Sequence, residues 1–324
     1  MENPVRWGIL GTGRVTRHLV ASARAGAGVL AGVGSRDATR CSAFATEHGI
    51  ERAYGSYEQL LADDSVEAVY IALPNSMHVE WTMRALEAGK HVLCEKPLSD
   101  DVAAVDAAFE LARRQERVLM EGLMHLHHPQ WQRVRELIRD GAIGEPQVMR
   151  CVMSFPLQDA ANIRLSRKLD GGALLDLGCY PVSAARWLMG EPHAVVGGAV
   201  FDARDVDSRF FGTLWFGSEC VLRFEVAFTL PRRQEFEILG SDGAILLSSP
   251  FHCREPRITC RSVDDERVIE TADSDPYTLE FAAMAAAIRR GEPQTDWDYA
   301  LGQARTLSAL MAAAREHRGE TGAG

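Results

Sequence analysis

From Val5 to Glu121 the chain alternates short, β-rich apolar runs with helical stretches, and this alternation restricts its fold more than any other feature. The runs are Val5–Leu10, Val29–Ser35, Ala68–Leu73, His91–Cys94 and Val118–Glu121. Helical stretches lie between them near Val15–Arg24, Ala38–His48, His78–Ala88 and Val102–Gln115. Strands separated by helices align parallel, so the pattern predicts an α/β fold with a doubly wound parallel sheet. Local punctuation agrees. Ser56 and Gln59 form a capping box ahead of Leu60-Leu61, and Gly89 after Ala88 reads as a helix stop.

After Glu121 the texture changes. Helical patterns at Pro129–Arg139 and Leu174–Leu188 bracket an apolar run at Val148–Phe155, and a strand-rich region follows over 194–271. It contains Phe210–Phe216, Cys220–Phe228 and Gln234–Leu239, with Ser241-Asp242-Gly243 as a hairpin turn before Ala244–Leu247. Consecutive strands without intervening helices predict an α+β domain with a large, mostly antiparallel open sheet. Helices near Tyr277–Arg290 and Trp297–His317 close the chain, and Gly319–Gly324 reads as a frayed tail. A length of 324 residues exceeds one ordinary core. We therefore expect two domains, 1–122 and 123–324, with the C-terminal helices free to pack back on the first.

Composition narrows the partners. A formal net charge of −10 opposes a general nucleic-acid or membrane-surface binder, since both need a basic face. No apolar run approaches the roughly 20 residues that cross a bilayer. The start, Met1-Glu2-Asn3-Pro4, lacks a secretory charge-plus-apolar pattern, so a cytoplasmic protein is expected. Seven scattered cysteines without a CxxC pair read as reduced, buried thiols. His125, His127 and His128 have no nearby Cys or carboxylate at ligand spacing, and no metal site is expected.

Chemistry enters at Gly11-Thr12-Gly13-Arg14-Val15, directly after the first strand. The first glycine permits a tight turn and the second lets backbone approach a phosphate. The following helix offers free N–H groups and its positive dipole end, which together predict a dinucleotide site. Thr16 stands where that fingerprint usually has Gly or Ala, so a slightly larger helix-to-strand separation is expected. At the end of the second strand an acidic residue would bind the ribose hydroxyl of NAD. This chain has Gly34-Ser35-Arg36-Asp37, with Arg40 one helical turn on. A hydroxyl and two guanidiniums suit a 2′-phosphate, which favours NADP over NAD. Asp37 reads as the helix N-cap. Further on, Glu95-Lys96-Pro97 ends an apolar run and sets a lysine at a strand's carboxyl end, where open α/β sheets keep their ligands. Asp176 and Tyr180 are four apart in an expected helix and would share one face.

With these residues in view, the chain resembles the Gfo/Idh/MocA oxidoreductases over nearly its whole length. The resemblance rests on Gly11-Thr12-Gly13, on Ala72-Leu73-Pro74-Asn75 with His78, on Gly89-Lys90-His91-Val92, on Glu95-Lys96-Pro97 and on Gly171–Tyr180. Tyr180 and the stretch Met124–Gln130 look like the branch with NADP-dependent xylose and dihydrodiol dehydrogenases, glucose–fructose oxidoreductase and keto-sugar reductases. The resemblance implies a Rossmann domain and a C-terminal domain whose sheet forms a homodimer or homotetramer interface. It implies cofactor contacts at Leu73, Pro74, Asn75, His78, Glu95, Lys96 and Pro97, although His78 also reads as a loop-fixing residue. It assigns Tyr180 as the acid/base, with Lys96 favouring the phenolate and polarising a carbonyl. Asp176 would orient a sugar hydroxyl, Asn162 and Arg164 would line the substrate pocket, and His128 would contact cofactor or substrate or else make a structural hydrogen bond.

The expected activity is hydride transfer between nicotinamide and a sugar or polyol, with an aldose (xylose- or glucose-like) first. A reductase of nucleotide-linked keto-deoxysugars is the alternative. A non-catalytic NADPH-binding regulator would not need lysine, aspartate and tyrosine together.

Overall fold

The computed structural model describes residues 4–26, 28–217, 219–262, 264–291 and 296–321. The readings of residues 1–3 and of the tail end, 322–324, lie outside the described residues. Contacts divide the chain into two compact units, Met1–Met124 with Asp275–Leu301, and His125–Ser274 with Gly302–Gly324.

In the first unit the elements run β1 (Val5–Leu10), α1 (Arg14–Ala25), β2 (Gly28–Gly34), α2 (Ala38–His48), β3 (Arg52–Tyr54), α3 (Tyr57–Leu61), β4 (Ala68–Ile71), α4 (His78–Glu87), β5 (His91–Glu95), α5 (Val102–Arg114) and β6 (Leu119–Gly122). Among the described residues they form a six-stranded sheet in the order β3-β2-β1-β4-β5-β6. Each pair of neighbours in it is parallel. The order reverses between β1 and β4, the switch point where such sheets leave a crevice at their carboxyl ends. β4 and β6 are buried at every position, as expected for strands covered on both faces. The capping box is present in a shifted form. Ser56 accepts from Gln59 N, while the Gln59 side chain reaches back to Gly55 N at 3.1 Å.

The second unit begins with α6 (Pro129–Arg139) and β7 (Pro146–Ser154) and continues through α7 (Cys179–Met189) into β8 (Ala194–Phe201), β9 (Asp207–Trp215), β10 (Val221–Ala227) and β11 (Arg233–Gly240). Then come β12 (Gly243–Leu247), β13 (Arg257–Ser262) and β14 (Glu266–Glu270). Their eight-stranded sheet, counted among the described residues, has the order β14-β13-β12-β11-β7-β10-β9-β8. All neighbours are antiparallel except β7 and β10. That parallel pair is possible because a long crossover containing α7 separates the two strands.

The expected helix over Leu174–Leu188 differs in kind. Leu174–Gly178 is a π-helical turn and only Cys179–Met189 is α-helical. Gly178 sits where a Cβ would lie 2.9 Å from Leu174 and 3.4 Å from the Phe224 ring of β10, so the wide turn lies close against the sheet.

Two more helices follow, α8 (Pro276–Arg290) and α9 (Trp297–Thr321). α9 is helical through Thr321, past the start of the expected frayed tail. α8 belongs to the first unit, where Phe281 meets Trp7 edge-on at 4.9 Å and joins a cluster with Leu19, Leu30 and Tyr70. All seven cysteines are free and buried. Among the described residues no helix is long and apolar enough to cross a membrane.

Glu280 lies beside Phe281, fully buried, and neither carboxyl oxygen has a hydrogen-bond partner among the described residues. Burial first, then the charges of Glu95 and Asp275, raise its pKa well above 4.5. The folded protein therefore keeps this proton at pH values where the unfolded chain releases it, and stability falls as pH rises above about 4.5. Glu280→Gln removes that ionisation. We predict that its melting temperature relative to wild type rises steadily between pH 4.5 and 8, read by thermal denaturation. A difference that stays constant with pH would show an ionised native carboxylate.

Candidate active site

The turn after β1 is built for close approach. Gly11 has φ +107°, and a Cβ there would lie 2.7 Å from Ala72 O, so only glycine lets β1 and β4 end side by side. Gly11 N donates to Gly34 O at 3.0 Å, tying the same turn to β2. Gly13 is the N-cap of α1 and makes no side-chain cap, the first turn of α1 carries no acidic residue, and a Cβ at Gly13 would meet no protein atom within 4 Å. Thr12 Oγ1 is buried without a hydrogen-bond partner among the described residues. An orphaned hydroxyl, open space at a glycine and an uncapped helix start together fit a bound pyrophosphate. Thr16, in place of the third glycine, is buried and donates to Gly11 O at 3.2 Å, so its hydroxyl braces the turn. Arg14 is exposed and Val15 packs against the unit's core.

At the end of β2, Ser35 is buried and Arg40 Nη2 reaches its hydroxyl at 3.4 Å. Asp37 caps α2 by accepting from Arg40 N at 2.9 Å. Its carboxylate is thus occupied in helix capping, while Arg36 and Arg40 stay exposed. Two guanidiniums and a hydroxyl therefore stand where a ribose would end.

The Lys96 turn is pinned from three sides. His78, at the start of α4, is buried with Nδ1 at 2.7 Å from Pro97 O and Nε2 at 2.9 Å from Leu73 O. Burial and the positive charge of Lys96 lower its pKa against the pull of those two carbonyls. A neutral ring donates to one carbonyl at a time. The ring spans the loop after β4, which holds Leu73, Pro74 and Asn75, and the turn after β5. On a second side, the Tyr70 hydroxyl donates to Glu95 Oε1, and Glu95 Oε2 accepts from Lys96 N at 3.2 Å. On the third, Glu121 Oε1 accepts from Leu98 N at 2.9 Å. The Lys96–Pro97 peptide is cis. Tyr70, Glu121 and Glu280 escaped the sequence reading. Glu121 left one usable signal, a carboxylate ending an apolar run.

In the second unit Arg164 Nε donates to Asp176 Oδ2 at 2.6 Å, and Asn162 Oδ1 accepts from Arg164 N at 3.1 Å. Asn162, Arg164 and Asp176 are thereby brought together. Tyr180 is buried, its ring stacked on Phe251 at 5.1 Å and met edge-on by His125 at 5.5 Å. Ser183 Oγ bonds to Tyr180 O at 2.9 Å and contacts His125 Nε2 at 3.2 Å, while Gln303 Nε2 donates to Cys179 O at 2.8 Å. Aromatic walls and backbone ties thus fix the phenol. His128 Nδ1 accepts from Gln130 N at 3.0 Å and caps α6, the structural hydrogen bond that is its alternative reading. His125, read only as a rejected metal ligand, is the histidine beside Tyr180. The expected residues therefore form two sets: the turns around Gly11, Ser35, Leu73 and Lys96 in the first unit, and Asn162, Arg164, Asp176 and Tyr180 in the second.

Two family models match the chain, the Gfo/Idh/MocA oxidoreductase family with NAD-binding Rossmann fold over residues 5–123 and the GFO/IDH/MocA C-terminal domain over 131–246. The chain is 38% identical to a D-xylose 1-dehydrogenase (NADP(+)) of Haloferax volcanii, across 98% of both chains. A solved 3-ketoreductase from Actinomadura kijaniata, in complex with NADP and TDP-benzene, matches with TM-score 0.91 and 30% identity over 96% of this chain and 98% of that one. An aldose-aldose oxidoreductase from Caulobacter crescentus matches with TM-score 0.88 and 28% identity over 97% and 98%. The chain belongs to the Gfo/Idh/MocA family of oxidoreductases.

Proposed function

We propose that the protein is an NADP-dependent oxidoreductase interconverting an alcohol and a carbonyl on a sugar or polyol, with a xylose- or glucose-like aldose as first substrate. The observation that carries the reading is the Lys96 turn. Three separate side chains fix it at the carboxyl end of β5, in the same unit as the Gly11 cradle. Similarity to a dehydrogenase named for xylose and NADP(+) supports both substrate class and cofactor.

Gly11 to Val15 would hold the pyrophosphate, and Ser35, Arg36 and Arg40 the 2′-phosphate. Leu73, Pro74, Asn75, Glu95 and Pro97 would flank the nicotinamide end. When bound, that ring supplies hydride exchange at its C4 carbon. Proton movement falls to the chain itself. Tyr180 Oη gives a proton to the substrate oxygen in reduction and takes one in oxidation. A free phenol titrates at about 10, so a cation is needed to favour phenolate, and the family resemblance assigns that task to Lys96, together with polarising the carbonyl. Asp176, steadied by Arg164, orients an adjacent hydroxyl.

One observation favours a second substrate, a nucleotide-linked keto-deoxysugar: the similarity to a 3-ketoreductase solved with TDP-benzene. Structures of that reductase include variants with lysine replaced by alanine and tyrosine by phenylalanine, the two residue types assigned to the reaction here. A turnover screen of aldoses against dTDP-linked keto-sugars decides between the two.

The open face of the eight-stranded sheet exposes Val196 at 46%, Val200 at 39% and Phe211 at 40%. Apolar side chains grouped on one sheet face support a homodimer or homotetramer through that sheet. Seven buried thiols support a reducing, cytoplasmic setting.

Three measurements test this reading. In fluorescence titrations NADPH should bind more tightly than NADH, and the reverse order removes the Arg36 assignment. Lys96→Ala and Tyr180→Phe should each lower kcat by about 10²–10⁴ with NADPH affinity little changed in Tyr180→Phe, whereas full turnover in either removes its role. Light scattering should give a dimer or tetramer mass. A monomer at micromolar concentration removes the sheet interface.

A further inference from the structure

Where β8 pairs with β9, Val200 faces Arg209 and Phe201 faces Asp207, so one step on β8 answers two on β9 and Ser208 is a bulge. Ordinary alternation would turn one of two consecutive residues outwards. Here Asp207 and Ser208 are both buried, at 2% and 9% exposure. The bulge therefore redirects a carboxylate from the sheet's open side to its covered side.

That carboxylate meets the start of the segment bearing Asp176 and Tyr180. Asp207 Oδ2 accepts from Leu174 N, the first residue of the π-helical turn, at 2.7 Å. The backbone N–H groups of Ala173 and Asp207 itself also act on it. The Gly171-Gly172 pair makes room. A Cβ on Gly171 would lie 2.4 Å from Arg164 O, and one on Gly172, with φ +137°, would lie 2.0 Å from Asp207 Oδ1. One glycine admits the Arg164 loop, and the other admits the carboxylate. Burial pushes Asp207 up to about 7 in spite of its backbone donors and the charge of Arg315 on α9. A carboxylate held this deep opposes stability unless its oxygens are matched.

We propose that Asp207 is a positioning residue for the reaction, acting through the backbone of Ala173 and Leu174 to set where Asp176 and Tyr180 stand. Helix-start N–H groups have no partner within their own helix. Without an acceptor there, the wide turn that follows is free to slide or unwind, and both functional side chains go with it. Displacements of about 1 Å at reacting groups cost about 10²-fold in rate.

The proposal rests on the assignment of Tyr180 and Asp176 to the reaction, and its test separates the two. With intact protein and a substrate from the turnover screen, Asp207→Ala should lower kcat at least about tenfold, with NADPH affinity unchanged by fluorescence titration. Asp207→Asn keeps an acceptor oxygen and should recover kcat to within about threefold of wild type. Should Asp207→Ala fail to fold by circular dichroism, Gly172→Ala, which displaces the carboxylate directly, takes its place with the same expected loss. A folded Asp207→Ala or Gly172→Ala with wild-type kcat overturns the proposal, as does an asparagine variant no better than alanine. Tyr180→Phe runs alongside. A fully active Tyr180→Phe removes the assignment of Tyr180, whereas an inactive one beside a fully active Asp207→Ala removes only the role of Asp207.

Discussion

Two carbonyl oxygens, from Leu73 and Pro97, meet on the ring of His78, and the placement of Lys96 depends on that junction. Loops after parallel strands have left the sheet and its ladder of hydrogen bonds. Something else must hold them, and here it is a buried imidazole with one ring nitrogen against each carbonyl, its pKa lowered by burial and by the charge of the lysine it helps to place. Because the tie lies away from water, removing the ring would leave both carbonyls unsatisfied, at a cost of about 1–3 kcal/mol each. The loop after β4 and the turn after β5 would then lose their common anchor together.

Buried and half-buried carboxylates do comparable work elsewhere. An ionised carboxylate only accepts hydrogen bonds, and turns and helix starts are where backbone donors lack partners. Glu121 takes Leu98 N just beyond Pro97, Glu95 takes Lys96 N and the Tyr70 hydroxyl, and Asp207 takes Leu174 N. Each lies one step behind a residue assigned to chemistry. Glu280 is the contrast. It is fully buried without a hydrogen-bond partner among the described residues, with the charges of Glu95 and Asp275 nearby, and so its proton is held well above the ordinary range. Elements that carry reacting groups are thus fixed through their backbone, leaving the side-chain ends to act.

Much of the fold could be read from the chain because doubly covered parallel strands leave unbroken apolar runs. Val5–Leu10 matches β1, and Ala38–His48 matches α2, residue for residue. β3 was missed because Arg52–Tyr54 is short and half-exposed, with no run to detect. The antiparallel sheet was legible as strands, but the parallel pairing of β7 with β10 depends on a crossover that local pattern does not encode. Site residues divide the same way. The Gly11 turn, the Asp37 cap and the place of Lys96 after β5 are matters of local geometry, which spacing encodes. Tyr70, His125, Glu121 and Asp207 reach their partners through tertiary folding. The bulge at Ser208 has no signature in a sequence where alternation is already loose, and a glutamate in the apolar pattern of α8 reads as a surface position.

The proposed reaction exchanges a hydride at a sugar carbon, and isotope labelling reads that event directly. NADPH carrying deuterium at the transferred position of C4 would be turned over with a keto-sugar, and the product analysed by mass spectrometry and NMR. The account predicts one deuterium per molecule, on the new carbinol carbon. Oxidation of the labelled cofactor without deuterium in the sugar would contradict it, as would failure to turn over any aldose or keto-sugar with either nicotinamide.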